Sequence, residues 1–340
     1  MEKKTYYIIL IIFLIIIFIL CVLILIFVLI SWENNNNNNK IKDEDVLFGY
    51  IPTDFVQEDL KKKFNSRTGL IFSDIALAAY YASVTNSNSN QKFNFVLEKS
   101  FWINPNNFEL NKLTDILQFE QINTYIIGFC ARFNEDIIIG FGGTNFTSFN
   151  NIVTDLDIKL VEFPSFSDNK EVKVAKGFKE AWDSIKDVTI LPYLKGKVTD
   201  KTNIWISGHS LGGSLTTLCA CDLSVIYGAD KIIQYTYASP KVGNSQFVTE
   251  MNLKGVSKYN NRVRNIEDIV PTYPFDFEGY NFSQPWEIIF EKKKNNFSKP
   301  CIINPSPELD WKTNILIIPN HELFTYQVII NEQPNCSIIT

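Results

Sequence analysis

One serine stands among glycines in Gly208-His209-Ser210-Leu211-Gly212, and Gly213 follows directly. The pattern is G-x-S-x-G, whose chemistry is nucleophilic attack on a carbonyl carbon. A serine hydroxyl is a weak nucleophile until a base takes its proton and fixed donors meet the oxyanion that forms. The glycines permit a tight strand-to-helix turn, and a helix N-terminus aims backbone N–H groups at developing negative charge. The N–H of Leu211 is the first oxyanion donor that this geometry implies.

A serine of this kind needs histidine, and the chain contains two. His209 adjoins the nucleophile and cannot easily fold back onto its own neighbour. That leaves His321, in Pro319-Asn320-His321-Glu322, just after an apolar strand-like run. The acid is expected between them, because this elbow type orders serine, then aspartate or glutamate, then histidine. The segment Arg262–Pro274 offers Glu267 and Asp268 past a strand. Asp268 is the expected acid and Glu267 a solvated flank. The carboxylate's task is to fix the imidazole tautomer and stabilise the imidazolium.

The elements around these residues must hold them at strand ends. Short apolar, β-branched runs predict strands over Tyr125–Arg132, Asp136–Gly143, Asn203–Gly208, Ile233–Ser239, Asn261–Ile266 and Ile315–Pro319. Helical spacing predicts helices over Phe72–Val84, with Ser73 as N-cap, and over Phe178–Ile185 and Leu211–Ile226. Strands alternating with helices read as an α/β sheet.

The motifs together resemble the class 3, fungal-type lipase family of α/β-hydrolases. Gly208–Gly213 looks like that family's elbow. Tyr237–Asn244, "YASPKVGN", resembles its Ser/Thr-Tyr-Gly-x-Pro-x-Val-Gly-Asn stretch. "EDIVPTYP" resembles its Asp-x-Val-Pro-x-x-Pro segment and "NHE" its histidine segment, which implies the same Asp268 and His321. "IGFGGTN", Ile139–Asn145, looks like its Phe-Arg-Gly-Thr/Ser loop and implies Thr144 as the second oxyanion donor. "NIVTDL" (Asn151–Leu156) and "AKGF" (Ala175–Phe178) resemble further family segments, and the likeness covers roughly residues 70–330. It implies a mixed, mostly parallel sheet with helices on both faces, and hydrolysis of lipid esters through an acyl-enzyme. No metal or organic cofactor is implied.

Three positions depart from the family pattern. Gly142 replaces the usual Arg, so the oxyanion loop lacks a charged anchor; Ile152 replaces Trp and Ala175 replaces His. Phe146–Ile152 lies where relatives carry an amphipathic lid, and Phe146, Phe149 and Ile152 recur at a spacing of three. A catalytically weak lipid-binding or scaffold member of the fold is the competing reading.

The chain begins differently. Ile8–Ile30 is an unbroken apolar run, which as a helix is roughly 35 Å long and spans a hydrocarbon core of about 30 Å. The run is too long for a signal peptide and lacks a small-residue cleavage site behind it. Lys3 and Lys4 precede it, while Glu33 and an asparagine run follow. The positive-inside rule puts the N-terminus in the cytosol and the rest on the lumenal or outer face, with Trp32 at the interface. The expected layout is an anchor over 1–32, an Asn-rich linker over 33–44 and one lipase-like domain over 45–340. Sequons at Asn145, Asn281, Asn296 and Asn335 suit that side, though a glycan at Asn145 would crowd Thr144, and that sequon is expected to be unused. Of Cys21, Cys130, Cys219, Cys221, Cys301 and Cys336, only Cys301 and Cys336 are candidates to pair in an oxidising lumen, and no spacing suggests zinc. A net charge of −5 without a basic face argues against nucleic acid as a partner. The expected partners are a lipid ester substrate and a membrane through residues 8–30; no protein partner is inferable.

Overall fold

Apolar runs without polar alternation suit strands covered on both faces, and here they form the middle of one sheet. The computed structural model describes residues 66–83, 93–94, 113–121, 126–143, 157–265, 268–274, 282–283, 287–290, 292–293, 296–297, 301–303, 321 and 323–332. The chain divides into two units, 1–48 and 49–340, and every described residue lies in the second. The apolar run Ile8–Ile30, the linker, Thr144, Phe146–Ile152, Glu267, the expected strand at Ile315–Pro319, Cys21 and Cys336 lie outside the described residues. So do the sequon residues Asn145, Asn281 and Asn335. Among the described residues no helix is long and apolar enough to cross a membrane.

The central sheet has eight strands among those residues, ordered in space as in the chain: β1 (Thr114–Gln121), β2 (Ile126–Phe133), β3 (Asp136–Phe141), β4 (Ile204–His209), β5 (Ile232–Tyr237), β6 (Asn260–Asn265), β7 (Glu287–Phe290) and β8 (Cys301–Ile303). The pairings from β3 through β7 are parallel, and those at both ends are antiparallel. This is the mixed, mostly parallel α/β sheet that the motifs implied. A smaller sheet pairs Phe282–Ser283, Gly243–Asn244, Lys173–Ala175 and Leu160–Glu162.

Helices cover both faces. On one face α2 (Lys176–Ile185) and α3 (Leu211–Tyr227) pack Phe178, Trp182, Leu215 and Leu218 onto Ile139, Ile204 and Ile206. Each such side chain, once enclosed, stabilises the fold by about 1.5–3 kcal/mol. Every residue of α3 from Leu211 to Ser224 is buried, so Cys219 and Cys221, on different sides of the helix, both lie in this core as free thiols. On the other face α1 (Ser66–Tyr80) and α5 (Leu323–Glu332) enclose Phe72, Ile75, Trp205, Tyr235, Tyr237 and Tyr326. A further helix, α4 (Ser245–Leu253), is capped by Asn244, whose side chain accepts from the Phe247 amide at 2.9 Å.

One expectation is corrected here. The helix expected over Phe72–Val84 spans Ser66–Tyr80, and Ser73 is not its N-cap: its hydroxyl donates to the Leu70 carbonyl at 2.7 Å within the preceding turn. The edge strand β1 went unrecognised because its first four residues are solvent-exposed and alternate no apolar face.

Candidate active site

The link from β4 to α3 is a single residue. Ser210 adopts φ 56° and ψ −125°, a conformation that costs a non-glycine residue of order 1–3 kcal/mol and persists only when its surroundings fix it. Those surroundings are on both sides: the Ser210 amide donates to Tyr237 O on β5 at 2.9 Å, and its carbonyl accepts from the Gly213 amide at 2.9 Å. The flanking glycines are required by contact. A Cβ at Gly208 would run into the Gly212 carbonyl, one at Gly212 into the Phe141 carbonyl, and one at Gly213 would lie 2.6 Å from Ser239 Cβ. The elbow therefore fits only because three positions lack side chains.

The structure brings Ser210, His321 and Asp268 into one buried row. His321 Nε2 lies 2.9 Å from Ser210 Oγ, and His321 Nδ1 lies 2.9 Å from Asp268 Oδ2. Serine's hydroxyl donates to Nε2, and Nδ1–H donates to the carboxylate. Asp268 sits where β6 ends, in a turn closed by its own amide donating to the Asn265 carbonyl at 3.0 Å. Its Oδ1 accepts from the Val270 amide at 3.0 Å, and its Oδ2 also accepts from the Tyr326 hydroxyl at 2.7 Å. Tyr326 Oη in turn accepts from the Asn265 amide at 3.0 Å. Burial, then the Asp268 charge, pushes the Tyr326 phenol well up, so it stays a donor to the carboxylate. Charge-assisted bonds of this kind are about twice as strong as neutral ones. A hydroxyl bonded to an imidazole that a buried carboxylate orients can lose its proton as it attacks a carbonyl.

Tyr326 is a site residue that spacing does not announce. It lies five residues after His321, and only α5's packing beside α1 carries its hydroxyl to Asp268. His209, set aside as a base, has both ring nitrogens engaged elsewhere: Nδ1 lies 2.6 Å from Tyr80 Oη, and Nε2 lies 2.7 Å from the His321 carbonyl. Burial, then the neighbouring His321, pushes His209 well below the ordinary histidine range.

On the oxyanion side, Leu211 opens α3, where its amide belongs to the helix N-terminus. Thr144 lies outside the described residues, but the loop leading to it is described. The Gly142 amide donates to the Ile127 carbonyl at 2.9 Å. A Cβ at Gly142 would lie 2.9 Å from the Ala79 carbonyl, so the end of α1 would have to shift before an arginine fitted there. Backbone contact anchors the loop at this point, in place of a charge. Ala175, the other described departure, is buried at the start of α2, where its amide donates to Val242 O at 2.9 Å. Among the described residues no group of three or more His, Cys, Asp or Glu is placed to hold a metal ion.

Residues 138–278 match the family model for lipase (class 3). A lipase of Rhizomucor miehei is 31% identical over 41% of this chain and 37% of its own length. The phospholipase A1-II 5 of Oryza sativa subsp. japonica is 37% identical over 27% of this chain and 21% of its own. The chain thus spans well under half the length of either relative. Among solved structures, lipase II from Rhizopus niveus superposes with a TM-score of 0.55 at 20% identity, covering 83% of this chain and 98% of that one, which establishes the fold.

Proposed function

We propose that this chain, whose residues 138–278 match the class 3 lipase model, is a serine hydrolase that cleaves carboxylic ester bonds of lipids. Ser210 attacks the ester carbonyl; His321 takes its proton and passes it to the leaving alcohol; Asp268 orients His321 and stabilises its charged form. The Leu211 and Thr144 amides receive the oxyanion. Water activated by His321 then attacks the acyl-enzyme and releases the fatty acid. The observation that carries this reading is the pair of 2.9 Å bonds joining Ser210, His321 and Asp268 at a strained strand-to-helix turn.

The substrate is an acylglycerol or a phospholipid; relatives named as lipase and as phospholipase A1 support lipid ester hydrolysis at that level. Residues 8–30 anchor the enzyme, with the domain on the lumenal or outer face. The apolar run and the lysines before it support this.

The test uses the full chain in detergent or vesicles, beside Ser210→Ala, on a chain-length series of esters presented as monomers and as micelles. Hydrolysis that depends on Ser210 and rises with chain length and at interfaces is the expected result. Equal turnover by the two folded proteins would sink the hydrolase reading. Protease protection of the domain in sealed microsomes tests the orientation, and rapid digestion from the cytosolic side would overturn it.

A further inference from the structure

The two hydrogen bonds of His209 have their directions fixed. A carbonyl only accepts, so His209 Nε2 carries the hydrogen that lies against His321 O at 2.7 Å. A neutral imidazole then has its lone pair on Nδ1, and the Tyr80 hydroxyl, 2.6 Å away, must be the donor. Tyr80 is free to donate because its own oxygen accepts from the Gly143 backbone amide. One directed chain therefore runs from Gly143 N–H to Tyr80, from Tyr80 O–H to His209 Nδ1, and from His209 Nε2–H to the backbone of His321.

This chain links three segments that are far apart in sequence. Gly143 precedes Thr144 on the loop after β3, His209 ends β4 beside Ser210, and His321 lies ahead of α5. Packing presses them together. A Cβ at Gly143 would collide with the Tyr80 hydroxyl and lie 2.7 Å from the His209 carbonyl. The rings of His209 and His321 are 4.8 Å apart between centroids, and those of His209 and Tyr80 5.8 Å.

We propose that Tyr80 and His209 are positioning residues, which hold the oxyanion loop, the nucleophile's turn and the backbone of the base in one register through this hydrogen-bond chain. The proposal rests on the hydrolase reading above. It gives the His209 of the G-H-S-L-G pattern a task that its own inability to act as base leaves open. The fixed tautomer matters because a proton on Nδ1 would turn the Nε2 lone pair toward the His321 carbonyl. That contact is repulsive and would push the base away from Ser210. A neutral His209 also leaves His321 free to become charged during turnover without a cation beside it.

The test compares the full chain with Tyr80→Phe, His209→Leu and His209→Gln on a monomeric short-chain ester. Tyr80→Phe should lower kcat about tenfold, the value of roughly one hydrogen bond, and leave KM within about twofold. His209→Leu should lose about a hundredfold, and His209→Gln, which keeps a donor for the His321 carbonyl, should recover about tenfold of it. Nitrogen-15 spectra of the imidazoles read the tautomer directly, and with two histidines in the chain His209→Gln assigns them. Wild-type His209 should carry its proton on Nε2. A proton on Nδ1 in the wild type, or wild-type kcat in folded Tyr80→Phe, would overturn the proposal while leaving the hydrolase reading intact. Absence of any Ser210-dependent turnover in the wild type would instead overturn that reading, and with it the positioning role. Should Tyr80→Phe fail to fold, the wild-type tautomer still decides.

Discussion

The two ends of the Ser210 site are held by different means. At the carboxylate end, side chains do the holding: Asp268 receives His321 and Tyr326, and Tyr326 is itself fixed by the Asn265 amide. At the oxyanion end, beside the bonds of Tyr80 and His209, close backbone contact does it. Gly142 lies against the Ala79 carbonyl, Gly143 against the His209 carbonyl, and Gly212 against the Phe141 carbonyl. The first arrangement loses its function in steps, because each bond can be removed by an isosteric substitution. The second tolerates no added atom, because its close contacts are between main chains that cannot rotate out of the way.

That contrast is open to measurement, and the largest effect belongs to the carboxylate end. Asp268→Asn leaves shape intact but no longer fixes the imidazole tautomer; kcat should fall by about 10³–10⁴, with KM little changed. A loss below tenfold would mean that Asp268 does not orient the base. At the glycine end, Gly143→Ala and Gly212→Ala should each cost about 10²–10³ in kcat through a displaced oxyanion donor. Thermal melts of the same variants should register destabilisation of about 1–3 kcal/mol from overpacking. Wild-type rates in either variant would show that the loop moves more freely than its contacts allow.

Tyr326→Phe is a gentler probe. It removes one of the bonds to Asp268 and should reduce kcat about tenfold, with the melting temperature changed by a few degrees. An unchanged rate would assign Tyr326 to packing alone. The smallest effect concerns pH. His209 is held neutral in the fold, whereas the unfolded chain binds a proton as pH drops below about 6.5. The unfolded state therefore holds more protons in that range, and stability must fall as pH falls, by up to about 1.4 kcal/mol per pH unit. Melting curves between pH 7 and 5 should be less steep in pH for His209→Gln than for the wild type. Equal slopes would contradict a neutral buried His209.

Much of this site was legible in residue types and spacing. Elimination named His321 once His209 was set aside, and the fixed order of the triad directed attention to Asp268. His321 lies within hydrogen-bond reach of Asp268 on one nitrogen and of Ser210 on the other. Of the six strands expected from apolar runs, the five that fall on described residues lie within a residue or two of their expected bounds, since a run buried on both faces leaves one readable signal. The edge strand Thr114–Gln121 gave no such signal, and neither did the short pair at the other edge, Glu287–Phe290 and Cys301–Ile303.

What the sequence by itself determined is the local chemistry: a serine that only glycine neighbours could turn outward, the order of acid and base, and a long apolar run before the domain. These follow from contacts between residues close in the chain, or from composition that admits few alternatives. Only the tertiary structure decided that Tyr326 would reach Asp268, that Gly142 fits against Ala79 where the family has a charge, and that Tyr80 and His321 would meet on the two nitrogens of His209. Those pairings join residues tens to hundreds of positions apart. No periodicity records them, because they depend on which helix packs on which face of the sheet and at what depth.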